Sequence, residues 1–155
     1  MRILKFLKAS LGIFLFGLFV TGALASDKGS PAEAEVMVTK AVAYLKANGP
    51  EKSAEEFTSG TLFKDRDLYI VYIEMSGKML GNGSNPKLVG KDLSGLKDAD
   101  GKLINQLFVD VAKTKGKGWS ESYKFFNPVT KKMGTKAVYL ERVGETIVGC
   151  GIYKD

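Results

Sequence analysis

The stretch GKGWSESYKFFNPVTKKMGTKAVYLERVGETIVGCGIYK, residues 116–154, decides the fold. It reads as three β-strands, 119–126, 131–142 and 146–153, joined by two tight connections. Asn127-Pro128-Val129-Thr130 closes the first hairpin and Gly144-Glu145 the second. Asn, Pro and Gly supply the backbone angles that turns need, and Pro128 cannot donate to a ladder. If the first loop is centred between Val129 and Thr130, Tyr123 and Lys136 are equidistant from it. Simple hairpin pairing makes them cross-strand neighbours. A phenol beside an ammonium is a grip for a small anion; an exposed surface pair is the alternative reading, since exposure is the default for charge.

Upstream, the first 25 residues stand apart from the fold. Arg2, Lys5 and Lys8 precede an uncharged apolar run, 11–20, and Ala23-Leu24-Ala25 is a small-x-small pattern. Together they read as a secretory signal peptide cut after Ala25, which directs the product to the periplasm. A retained anchor is the alternative, although the run is short for a membrane span. No Cys follows the run, so a lipoprotein signal is excluded. The three basic residues carry half of the formal net charge of +6. The rest of the chain is therefore only mildly basic, and a nucleic-acid partner is not expected. Lys113, Lys115 and Lys117 suit the negative end of a helix dipole.

The 155-residue chain is 45% hydrophobic and 26% charged, as expected of one globular domain after the leader. Cys150 is its single cysteine, so no intrachain disulfide forms and the fold relies on its core. Set between glycines in an apolar strand, Cys150 is expected to be a buried, inert thiol. There is no histidine, which removes the usual general base and the commonest transition-metal ligand. With no metal cluster and no nucleophile elbow either, an enzyme is not expected, nor is a cofactor. Gly81 and Gly83 make no dinucleotide fingerprint, because Pro86 stands where a helix should begin. Asp98-Ala99-Asp100-Gly101 resembles part of a calcium loop but lacks the later ligands and the closing glutamate. Its better reading is that Asp100 caps a helix over 102–113, with Leu103, Leu107 and Val111 on the apolar face and Ile104 and Phe108 as further candidates for it.

Nearer the N-terminus, Ser30-Pro31-Ala32-Glu33 has the form of a helix start, with Ser30 as cap and Glu33 reaching back. Val38, Ala41, Val42 and Leu45 follow on one face until Asn48-Gly49-Pro50 stops the helix. Pro50 opens a shorter helix carrying Ala54 and Phe57. After a charged turn, Lys64-Asp65-Arg66-Asp67, residues 68–73 form an apolar, β-branched and aromatic run expected of a central strand buried on both faces. Residues 78–80 return, 81–85 form a loop, and 88–92 continue extended. The expected fold is α+β, with an antiparallel sheet of about five strands. The long N-terminal helix covers one face. The loop region and middle helix cover the other and enclose a small cavity.

The chain also resembles the single Cache domains, bacterial extracytoplasmic sensor modules with a PAS-like antiparallel sheet. The resemblance rests on Gly118-Trp119, Tyr123, Phe125-Phe126-Asn127-Pro128, Lys136 with Tyr139, and Val148-Gly149-Cys150-Gly151-Ile152-Tyr153. Tyr69, the Gly77 turn, Asn85-Pro86, Leu88-Val89-Gly90-Lys91-Asp92 and the Asp98-Ala99-Asp100-Gly101 segment match the family's successive landmarks. It implies a binding or sensing module for small organic molecules, commonly short carboxylates, read by a membrane receptor. It also implies a ligand-binding set: Lys136 as counter-charge, Tyr123 as hydroxyl donor, Trp119 as wall, and Tyr139 and Tyr69 around the pocket. Asn127 and Pro128 shape the turn.

Parity limits this set. Lys136 and Tyr139 differ by three, so a regular strand sends them to opposite faces; either a bulge intervenes or only one lines the cavity. Tyr69 and Tyr72 pose the same choice, with core packing as the alternative reading of either. Family members often carry a His near Asn82, and this chain has none. The sequence ends at Asp155, just after the last strand, so the reading expects a free-standing exported version. Monomer and homodimer through the long helix both stand open. The competing function is a structural or partner-binding protein on the same fold without a small ligand.

Overall fold

In the computed structural model, which describes residues 27–154, the N-terminal helix α1 (Pro31–Asn48) begins with the reciprocal cap its sequence encodes. The Ser30 backbone N–H donates to Glu33 Oε2 at 2.7 Å, and the Glu33 N–H donates to Ser30 Oγ at 3.3 Å. Two of the helix's unpaired first-turn donors are satisfied this way. Arg66 closes on the same carboxylate at 2.6 Å, tying the helix start to the turn before the central strand. Gly49, at φ 81°, ends α1, and Pro50 opens α2 (Pro50–Ser59). The expected signal peptide lies outside the described residues. Among those residues, no helix is long and apolar enough to cross a membrane.

The described strands are β1 (Lys64–Asp65), β2 (Leu68–Glu74), β3 (Met79–Asn82), β4 (Lys117–Trp119), β5 (Tyr123–Phe126), β6 (Met133–Val143) and β7 (Thr146–Tyr153). All pair antiparallel in one sheet. The order is β1-β2-β7-β6-β4, with β3 also on β2 and β5 also on β6. The sheet is thus five positions wide, as the expected strand number requires, although its outer positions are each shared by two short strands. β2 is buried at all positions but Val71 and Glu74, which are half-buried, and lies inside the sheet, as its apolar run predicts.

Three local expectations are corrected. Residues 119–126 are not one strand. The chain advances four residues from Trp119 to Tyr123 while its partner advances three, from Tyr139 to Lys136. This is a one-residue bulge, at which Ser120 Oγ accepts the Val138 N–H at 3.1 Å. The middle helix α3 (Ile104–Thr114) is not capped by Asp100; its N-cap is Leu103, without a side-chain bond. Asp98 supplies the polar anchor instead, accepting from the N–H groups of Asp100, Lys102 and Lys124 and so fastening this turn to β5. The 88–92 segment is extended only in part: Pro86–Leu88 is a 3-10 turn, followed by a single bridge between Lys78 and Asp92.

Side chains alternate across the sheet, giving two cores. Leu68, Ile70, Tyr72, Val148 and Cys150 face α1 and α2, where they meet Val38, Val42, Leu45 and Phe57. Phe57 sits edge-on to Phe63 and Tyr72, with ring centroids 5.0 and 5.8 Å away. Ile73, Val138, Leu140 and Ile147 face the other way, towards Ile104, Phe108, Val109 and Ala112 of α3. Cys150 is buried as expected. Its thiol contacts Met37 Sδ at 3.7 Å, and burial pushes its pKa up to about 12.

Phe57→Ala should lower unfolding stability by about 3–5 kcal/mol with an unchanged denaturant slope, because it empties a fully buried aromatic site. A loss under about 1 kcal/mol would contradict this packing. Acid unfolding tests the helix start. Hydrogen bonds from Ser30, then from Arg66, hold the Glu33 carboxyl at about 2, below its ordinary 4.5. A depressed carboxyl stabilises fully above its unfolded value and loses that contribution as pH falls through the folded one. Glu33→Gln should therefore flatten the pH dependence of stability between about 4.5 and about 2.

Candidate functional site

Between the α3 face of the sheet and the loop that precedes α3 lies a cavity of about 50 Å³. Its walls are largely apolar, with Ile73, Met79, Leu93, Ile104, Phe108 and Val138 among them. Lys136 enters it from β6, opposite Tyr123 on β5 and Tyr153 on β7. The lysine is only 2% exposed. Its side chain lies over Gly151, where any Cβ would collide with Lys136 Cε, so the glycine is what opens the path. The Nζ donates to Tyr69 Oη at 2.6 Å and stands 4.3, 5.0 and 5.2 Å from the ring centroids of Tyr69, Tyr153 and Phe125.

This is a cation caged by rings. Among the described residues no carboxylate pairs with it. Removing an ammonium from water costs several kcal/mol, and cation–π contacts return only about 0.5–2 kcal/mol each. An ammonium has three N–H donors, and among the described residues one is engaged. The site therefore offers positive charge and unused donors inside an apolar enclosure.

The phenols around it divide by role. Burial opposes ionisation of Tyr69, but the adjacent Lys136 charge and hydrogen bond, with Ser84 and Tyr153, outweigh it and hold the phenol below its ordinary value of 10.0. Tyr69 is the acceptor. Burial, and then the neighbouring Tyr69, raise Tyr123 well above the ordinary value, so its hydroxyl keeps its proton. Burial likewise raises Tyr153, which donates to the Phe126 carbonyl at 2.8 Å.

Tyr69, Tyr123 and Lys136 are therefore brought together in the cavity wall. Trp119 and Tyr139 are not. β6 pairs with β7 in unbroken register from Lys136 to Val143, so Tyr139, three residues on, points to the opposite face. The bulge before Tyr123 turns Trp119 to that same face. There the two rings pack at 5.6 Å, and Trp119 Nε1 donates to Glu35 of α1 at 2.8 Å. They join sheet to helix rather than line the cavity. Tyr72 also faces the helices, leaving Tyr69 as the cavity member of that pair.

Two asparagines complete the wall and were not singled out from sequence. Asn82 Oδ1 is saturated by Ser84 N, Ser84 Oγ and Asn85 N, while its Nδ2 has only a 4.0 Å contact with Met79 Sδ. Asn105, in the first turn of α3, also faces the cavity. The signal for Asn105 was faint: a polar residue beside the apolar positions Ile104 and Phe108 of one helix. Among the described residues, no group of three or more His, Cys, Asp or Glu is arranged to hold a metal ion.

The sequence family described as Single Cache domain 2 matches residues 24–155. No curated protein matches the chain. Among solved structures, a methyl-accepting chemotaxis protein from Vibrio parahaemolyticus RIMD 2210633 is 20% identical, with a TM-score of 0.68 over 80% of this chain and 88% of that one. A periplasmic sensor domain of a chemotaxis protein is 25% identical, with a TM-score of 0.64 over 80% and 90%. A Cache chemosensory domain, described with the structural basis for its carboxylic acid recognition, is 24% identical, with a TM-score of 0.63 over 80% and 88%.

Tyrosinate absorbance followed through a pH titration checks the cage. One phenol should ionise below 10.0, and Tyr69→Phe should remove that step. Lys136→Met should move it upward, since burial then acts without the opposing charge. Persistence of the early step in Tyr69→Phe would contradict the assignment.

Proposed function

The chain belongs to the single Cache domain 2 family, a sensor rather than a catalytic fold, and from that premise we propose that it binds a short monocarboxylate in the Lys136 cavity. The observation that carries the reading is the buried ammonium, ringed by aromatic faces and without a carboxylate partner among the described residues. A carboxylate oxygen supplies that charge and takes a free N–H. The Tyr123 hydroxyl and Asn82 Nδ2 are further donors in the same wall, and the apolar residues take the short carbon chain.

Size and charge narrow the class. A water occupies about 10–15 Å³ on this measure, so the cavity accommodates roughly three to five non-hydrogen atoms. Acetate and propionate are of that size. Lys136 is the one cationic side chain among the lining residues, so a dicarboxylate leaves its second charge unpaired. The lining contains no Asp or Glu to receive an amine. The carboxylic acid recognition described for a similar Cache domain is consonant with this class.

The proposed setting is extracytoplasmic. Residues 1–25, with their basic start, apolar run and small-x-small end, fit a cleaved leader that delivers residues 26–155 to the periplasm. There the occupied state is read by a signalling partner at the membrane.

Thermal unfolding of the purified exported protein tests the reading. Acetate or propionate at a hundred times its dissociation constant should add about 2.7 kcal/mol of stability. Lys136→Met should abolish that gain and leave the ligand-free protein as stable as before or more so, since an uncompensated buried cation is gone. Full stabilisation of the variant by carboxylate would sink the site assignment. No stabilisation of the unmodified protein by any short carboxylate would sink the ligand class.

A further inference from the structure

We infer that Asn105 reads a hydrogen-bond donor on the ligand, so that the cavity is built for a short hydroxy monocarboxylate rather than a plain alkanoate; this rests on the monocarboxylate reading. Asn105 is 7% exposed, and its Oδ1 is buried with no hydrogen-bond partner among the described residues. Buried polar atoms are almost always paired, so an orphan in a cavity wall asks what the occupant brings to it. The other cavity amide cannot share the task, because Asn82 Oδ1 already accepts three hydrogen bonds from Ser84 and Asn85. The other buried orphan among the described residues, Asp67 Oδ2, is not in the cavity wall.

The cavity lining thus carries two opposite needs. Lys136 presents unused donors to an anion, and Asn105 presents an acceptor. Both line a space that holds roughly three to five non-hydrogen atoms. A group that reaches Asn105 while the carboxylate stays on Lys136 must therefore sit on the second or third carbon. A hydroxyl meets that condition without adding charge. An ammonium there would face the Lys136 cation, with no acidic residue in the lining to balance it.

Calorimetric titration of the purified protein with glycolate, propionate and glycine tests the inference. Glycolate and propionate differ by OH against CH₃ at nearly equal size. Glycolate should bind about tenfold to a hundredfold tighter, the margin expected when a buried acceptor is satisfied rather than left bare. Asn105→Leu and Asn105→Ala should erase most of that ratio by weakening glycolate, with propionate binding retained. Equal affinities in the unmodified protein, with both lost in Lys136→Met, would overturn the role of Asn105 and leave the monocarboxylate reading standing. A preference for glycolate that survives both Asn105 variants, or tighter binding of glycine than of glycolate, would also overturn it. Failure of glycolate and propionate alike would remove the inference together with the reading beneath it.

Discussion

A single buried ammonium governs how this domain is read. Lys136 sits in the interior where three aromatic rings, one phenolic oxygen and a glycine floor surround it. Rings and a phenol soften the loss of hydration, but they do not supply a counter-charge. The arrangement is costly for a structural lysine and apt for a binding one. Destabilisation tolerated at a functional site is a familiar consequence of selection for binding rather than for stability.

Everything else in the fold serves to keep that position dry and fixed. The alternation of the strands assigns one face of the sheet to the helical pair α1 and α2 and the other to the cavity. The first face is conventional core, closed by the Trp119–Tyr139 pair and the Glu35 contact. The second is only partly filled, leaving the cavity between the sheet, α3 and the loop before it. Asp98 fastens that turn to β5 by accepting the N–H of Lys124, the residue next to Tyr123. Lys102 Nζ adds a second tie, donating to the Ser122 carbonyl at 2.8 Å, and hydrogen bonds from Lys124, Lys102 and Asp100 hold the Asp98 pKa low.

Much of this is written locally in the chain. The pairing of Tyr123 with Lys136 follows from placing the turn centre between Val129 and Thr130, which the six residues from Asn127 to Lys132 satisfy; a loop of only Asn127 to Thr130 would set Tyr123 opposite Gly134. The capping box and the apolar face of α1 are equally legible, each being a short-range pattern. The bulge at Ser120 is not. A hydroxyl that replaces one ladder bond has no periodic signature, yet that single residue decides which face Trp119 takes. Counting along an unbroken strand gives Tyr139 correctly as the opposite face from Lys136, whereas the family pattern alone groups the two. Asn82 and Asn105 escape notice for another reason. An asparagine in sequence is a turn or surface residue by default, and only the tertiary enclosure makes its amide conspicuous.

The position of a bound carboxylate relative to Lys136 is the most direct measurement. A crystal structure of the exported domain grown with propionate or glycolate should show the carboxylate inside the α3-side cavity, with an oxygen about 2.7–2.9 Å from Lys136 Nζ. A cavity closed by side chains, with that nitrogen in bulk water or the carboxylate seated elsewhere on the surface, would contradict the central claim.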